Sequence, residues 1–174
     1  WRNAHQACLD ATMGTGSTPA LLPIYAPHGR GVVLENRIPA RYLDVPHEDS
    51  ATIGWAGSTH SHPFDLHEVG PAVSRLLREG HTYRGVGPAD GLRQALGLDA
   101  DPEVTGSVDL DDWGTAVASM GIALVPLADT GFNASKSHLK GLEASACGVP
   151  WVASPRAEYV RLQKTLGVGF LARK

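Results

Sequence analysis

At 174 residues the chain is the size of one ordinary domain, or of one domain with part of another, and a hydrophobic content of 43% supplies a sizeable core. A formal charge of −3 argues against the basic footprint of a nucleic-acid binder, so nucleic acid is not an expected partner, although a nucleotide is compatible. Two cysteines, Cys8 and Cys147, make no disulfide framework, and no apolar run approaches the ~20 residues that span a bilayer, so the expectation is a soluble, reduced, cytoplasmic α/β protein with no transmembrane segment.

The chain opens at Trp1 rather than Met, from which an upstream portion is expected. Residues 1–16 read as the end of a helix followed by a short strand or turn. Ser17-Thr18-Pro19-Ala20-Leu21-Leu22 has a cap and a first-turn Pro and starts a short helix, which Pro23, Pro27 and Gly29 end. A strand follows over 31–36, a connector over 37–43, and a polar, acidic linker over 45–50. Ala51 to Ala56 is the next strand and Gly57-Ser58-Thr59-His60 a turn. Asp65 to Gly80 has the clearest helical pattern: Asp65 as cap with Glu68 three residues on, an apolar stripe from Leu66 through Val69, Val73, Leu76 and Leu77, and Gly80 as stop. Pro71 inside this pattern predicts a kink or a late start. Strands at 82–86 and 103–106 alternate with helices at 89–98 and 109–120, the last with Leu110, Trp113, Ala116 and Val117 facing inward.

The stretch from Gly121 to Ser154 carries the most information. An apolar run, Gly121 to Leu127, passes through the polar loop Ala128-Asp129-Thr130-Gly131-Phe132-Asn133 into a helix from about Ser135 to Cys147, closed by Gly148-Val149-Pro150. This is a βα step of a parallel sheet, in which ligands bind at the carboxyl ends of the strands. Residues three and four apart stack on a helix, so Lys136, Lys140, Glu143 and Cys147 share one stripe. A helix start with free N–H groups and Lys136 beside it suits a phosphate or diphosphate, and Glu143, two turns deeper, suits hydroxyls. The same pattern also describes a solvated face with an ordinary Lys140–Glu143 pair. Cys147, at the negative end of a helix, is expected to pack as a small hydrophobe. A strand at 151–153, a helix at 155–166 and a strand at 167–171 complete the chain. Strands alternate with helices throughout, which argues for an α/β fold built on a doubly wound parallel sheet.

Asn133 to Ser154 resembles the donor-site segment of GT-B glycosyltransferases, in which a Lys-Ser-x-x-Lys-x-x-Glu helix, a Gly-Val-Pro turn and a short strand hold a nucleotide-sugar in the C-terminal, Rossmann-like half. The resemblance implies that Glu143 contacts the ribose hydroxyls and that Asn133, Ser135, Lys136 and Ser137 lie near the diphosphate and sugar. Many retaining members carry a second Glu eight residues before the first, and Ser135 stands at that position here. Ile53-Gly54-Trp55-Ala56-Gly57-Ser58, with His62 and Asp65-Leu66 following, resembles the first loop of the same half and adds Gly57 and Ser58 as donor-binding candidates. Residues 1–45 resemble the end of the N-terminal half and its hinge, leaving 46–174 as a donor-binding domain truncated at its C-terminus; the alternative is that 1–45 are the first units of one compact domain. The implied reaction moves a sugar from a nucleotide-sugar to an acceptor hydroxyl without a cofactor or metal ion, and a piece without most of its acceptor half is expected to bind without efficient transfer.

Two other classes compete. His60-Ser61-His62 after a strand is how several metal-dependent hydrolases begin their sites, but Asp65 and His67 fall out of step with the His-x-His-x-Asp-His spacing. Asp109, Asp111 and Asp112 are favoured at a helix start by the dipole without any metal. A non-catalytic nucleotide-binding or interaction module with the same fold is the third class.

Overall fold

The computed structural model describes residues 2–47, 49–61 and 64–172. Two parallel sheets organise it. The smaller one pairs β1 (Gly14–Gly16) with β2 (Gly31–Val33), with α1 (Arg2–Asp10) ahead of it and α2 (Leu22–Tyr25) in the crossover. The larger one has six strands: β3 (Ile53–Ala56), β4 (Tyr83–Val86), β5 (Glu103–Val104), β6 (Ile122–Val125), β7 (Trp151–Ala153) and β8 (Phe170–Leu171), in the order β5-β4-β3-β6-β7-β8. Between them run α3 (Gly70–Arg78), α4 (Leu92–Leu96), α5 (Trp113–Ala118), α6 (Gly131–Ala134), α7 (Leu139–Ala146) and α8 (Ala157–Leu166).

The strand order grows outward from β3 to β5, returns to the other side of β3 at β6, and grows outward again. The order in which strands are added reverses between β3 and β6, which stay parallel, and at such a switch point the loops leaving two neighbouring strands part and open a crevice. The alternation of side chains along each strand decides which helices cover which face. Ile53, Trp55 and Tyr83 face one layer with Leu66, Val73, Leu92 and Leu96 from the α3–α4 side. Ala56, Val86, Ala123, Val125, Trp151 and Ala153 face the other, with Val117, Ala144, Tyr159 and Leu162 from α5, α7 and α8. Both faces are covered, as a parallel sheet requires. Trp151 is fully buried, meets Tyr159 edge-on at 5.9 Å between ring centroids, and donates its indole N–H to Ser145 Oγ at 2.9 Å.

The expected alternation of strands and helices holds, with several boundaries displaced. Pro23 lies in the first turn of α2 rather than ending the helix. The Asp65-to-Gly80 pattern divides into a 3-10 turn, Leu66–Glu68, and α3, which begins at Gly70 with Pro71 in its first turn; the late start is the outcome. Asp65 consequently makes no capping bond. Leu110 is exposed, because α5 starts three residues after it, at Trp113. The predicted 135–147 helix starts late: the polar loop ahead of it holds a single turn, α6, begun where Thr130 Oγ1 accepts from Asn133 N, the chain bends at 135–138, and α7 then runs from Leu139. Cys147 is buried, its thiol 3.5 Å from Gly114 O and its pKa pushed up to about 11 by burial and the Glu143 charge, which fits a packing role.

Candidate functional site

The crevice between β3 and β6 is walled by the chain leaving each strand. After β3, Gly57 donates its N–H to Val86 O at 2.8 Å, so this group is used within the sheet rather than offered to a ligand. What Gly57 contributes is room. It sits at φ +156°, and a Cβ there would lie 2.7 Å from Lys140 Nζ and 3.0 Å from the Trp55 ring. Ser58 accepts the Ser61 N–H with its carbonyl in the following turn. After β6 the chain is anchored from several directions. Ser154 Oγ accepts from Leu127 N at 2.9 Å, and Arg156 donates to Leu127 O through Nε and NH2 while pairing with Asp129 at 2.8 Å.

Asp65 joins the two walls. Its carboxylate is almost wholly buried; Oδ1 accepts from Ala128 N at 2.9 Å and from Asn133 Nδ2 at 2.6 Å, and Oδ2 lies 3.4 Å from Lys136 Nζ. Asn133 Nδ2 also donates to Ala128 O at 2.9 Å, and since both neighbours are acceptors the amide orientation follows from the network. Ser61, Phe64, Asp65, Ala128, Phe132 and Asn133 are among the residues lining a cavity of about 300 Å³ at this junction.

Two lysines enter the crevice. Lys136 Nζ stands 4.7 Å from the centroid of the Phe132 ring, and burial lowers its pKa against the opposing pull of Asp65. Lys140, on the first turn of α7, stands 4.9 Å from the Trp55 ring. Burial pushes its ammonium down from the ordinary value near 10.5 to about 8; the Lys136 charge adds to the depression, and Asp65 and Glu143 oppose it. Glu143, one turn further along, is half-buried, which raises its pKa, while a hydrogen bond with Trp113 and the charge of Lys140 favour its ionised form. Lys136, Lys140 and Glu143 therefore form one electrostatically coupled row.

The α7 N-terminus is less open than its sequence implies. The buried Tyr159 phenol takes hydrogen bonds from the backbone of Gly141 and Lys140, so two first-turn groups are committed inside the protein. Beside this helix start stand the ammonium groups of Lys136 and Lys140.

Of the residues expected at the site, Lys136, Asn133, Glu143 and Gly57 line or abut the crevice. Ser137 Oγ accepts from Asn36 Nδ2 at 2.6 Å in the amino-terminal segment, while Ser135 meets that segment only through its backbone carbonyl, which accepts from Thr18 Oγ1 at 2.9 Å, and donates its Oγ–H to Gly131 O at 3.2 Å. Asn133 supports the wall through its bonds to Asp65 and Ala128. Sequence reasoning had Asp65 as a helix cap and did not name Lys140, Trp113 or Tyr159 as site residues. Lys140 carried a signal, being four residues from Lys136 and three from Glu143; the other three gain their roles from contacts more than fifteen residues away. His60 is exposed on a 3-10 turn, and His62 lies outside the described residues. Among the described residues no group of three or more His, Cys, Asp or Glu side chains is placed to hold a metal ion. Asp111 pairs instead with Arg41 at 2.9 Å.

No family model matches the chain, and no curated protein does. Solved structures do. HepE of Anabaena, crystallised with UDP and glucose, superposes with a TM-score of 0.70 at 16% identity, over 97% of this chain and 51% of that one. TarM of S. aureus, in a complex that includes UDP, gives 0.68 at 10% identity, over 99% and 36%. WaaG, a glycosyltransferase involved in lipopolysaccharide biosynthesis, gives 0.62 at 15% identity, over 90% and 48%. The fold is that of GT-B glycosyltransferases. The chain spans about half the length of HepE and WaaG and about a third of TarM.

Proposed function

We propose that the chain holds the nucleotide-sugar donor of a glycosyltransferase in the crevice between β3 and β6. The observation that carries this reading is the row Lys136–Lys140–Glu143 at the switch point of the sheet, where the fold opens and where two cations and a carboxylate share a few turns of chain. In sugar transfer the bond between the anomeric carbon and the diphosphate oxygen breaks, and the leaving diphosphate gains negative charge. Lys136 and Lys140 offset that charge from a partly desolvated position, where Coulomb interactions are stronger than in water. Glu143, held by Trp113, accepts from the ribose hydroxyls and fixes the nucleoside end. Leaving-group stabilisation in this reading comes from side-chain cations, with no resident cofactor. The UDP bound in the HepE and TarM structures supports a nucleoside diphosphate as the shared chemistry. In this reading residues 1–45 are the end of an acceptor-facing half and its hinge, tied to the donor wall through Thr18 and Asn36 and seated in the main core through Tyr42. A cytoplasmic setting accords with the two free cysteines.

Calorimetric titration with UDP, GDP and ADP, without added metal, tests the reading. One of the three binds, and Glu143→Ala weakens it by at least ~10-fold, the loss expected for a charge-assisted hydrogen-bond acceptor. Absence of binding to all three overturns it.

A further inference from the structure

We propose that Asp65 is a positioning residue for the donor diphosphate: it holds the Lys136 ammonium at the crevice and locks the chain after β6 to the chain after β3. The inference rests on the donor-site reading and adds to it a residue from the opposite wall.

The two oxygens of Asp65 have different partners. Oδ1 accepts from Ala128 N and Asn133 Nδ2 at 2.9 and 2.6 Å, both on the post-β6 wall. Oδ2 faces Lys136 Nζ at 3.4 Å. A carboxylate with 3% side-chain exposure is costly to bury unless donors and a cation surround it, so Asp65 requires Lys136 or an equivalent. Lys136 in turn needs restraint. A lysine side chain is long and rich in rotamers, and here Asp65 on one side and the Phe132 ring at 4.7 Å on the other confine its head. An ammonium has three donors, and the 3.4 Å separation is longer than the 2.7–2.9 Å of a tight charge-assisted bond. The pairing directs the Lys136 ammonium. Two N–H donors occupy Oδ1 and the Lys136 ammonium faces Oδ2, so the role assigned to this carboxylate is positioning rather than proton transfer.

The test compares the nucleoside diphosphate that the unmodified chain binds, among UDP, GDP and ADP, with its parent nucleoside. Asp65→Asn keeps the shape and an Oδ1 acceptor but removes the charge facing Lys136. It is expected to weaken the diphosphate by ~5-fold or more and the nucleoside by less than ~2-fold, since only the phosphate contact depends on Lys136. Lys136→Met gives the same signature, and the double variant is no weaker than Lys136→Met within ~2-fold, because the second change acts on an interaction already gone. Equal weakening of diphosphate and nucleoside, or a full Asp65→Asn effect in the Lys136→Met background, overturns the proposal and assigns Asp65 to the fold alone. If Asp65→Asn does not fold, the same pattern is read from Asp65→Glu, which keeps the charge and displaces the carboxylate by one methylene. Binding of none of the three diphosphates by the unmodified chain refutes the donor-site reading itself, a result distinct from additivity in the cycle.

Discussion

The two walls of the crevice reach similar places by opposite means. On the wall after β3, Gly57 keeps space open and its N–H belongs to the sheet, while Asp65, among the described residues, accepts hydrogen bonds from across the crevice. The wall after β6 is dense with restraints, from Ser154 and Arg156 behind it, Thr130 within it, and Thr18 and Asn36 outside it. All of the cations project from this restrained side. A binding group on a rigid support loses less entropy when the ligand arrives, so the placement of Lys136 and Lys140 on the braced wall is what an anion site needs.

Disrupting the bracing should have the largest effect. Asn133→Ala removes two buried hydrogen bonds and leaves Ala128 O and part of the Asp65 carboxylate without their amide partner; unfolding in urea should show a loss of ~2 kcal/mol, within the 1–3 expected for stranded buried groups. Filling the open wall comes next. Gly57→Ala sets a methyl 2.7 Å from Lys140 Nζ and should weaken diphosphate binding by roughly 10-fold in calorimetry, ~1.4 kcal/mol, through displacement of that lysine.

Changing pH separates the proposed ligand-binding role of Lys140 from its effect on the fold. Diphosphate affinity should fall as pH rises through about 8, where the ammonium loses its proton. Stability of the free chain should move the other way. Between about 8 and the ordinary value near 10.5 the unfolded chain binds more protons than the folded one, so the unfolding free energy rises with pH there. Melting curves and titrations over this range check both slopes, and parallel slopes would contradict the assigned position of Lys140. The smallest effect belongs to the outermost brace: Asn36→Ala loses one half-exposed bond to Ser137 and should cost ~0.5–1 kcal/mol in thermal unfolding, with less than ~3-fold change in affinity.

The pair Lys140 and Glu143 could be read from spacing, because both lie on α7 three residues apart, whereas Lys136 lies in the bend at 135–138 and is brought beside them by the tertiary fold. The strands could be read too, since apolar runs bounded by Gly have few other uses in a chain this size. Asp65 was misread for a local reason. An Asp three residues before a Glu is the signature of a helix start, and only the position of Pro71, which moves α3 to Gly70, frees that carboxylate for the opposite wall.

Periodicities of a few residues carry the alternation of strands and helices, the parallel sheet, and the Lys140–Glu143 pair on α7. The tertiary structure alone decided that β6 lies beside β3 and opens the crevice there, that Tyr159 takes two N–H groups at the α7 start, and that Asp65 reaches Ala128, Asn133 and Lys136. These contacts span tens of residues of chain. No short-range pattern encodes them, because they exist only once the burial of two sheet faces has chosen which loops become neighbours.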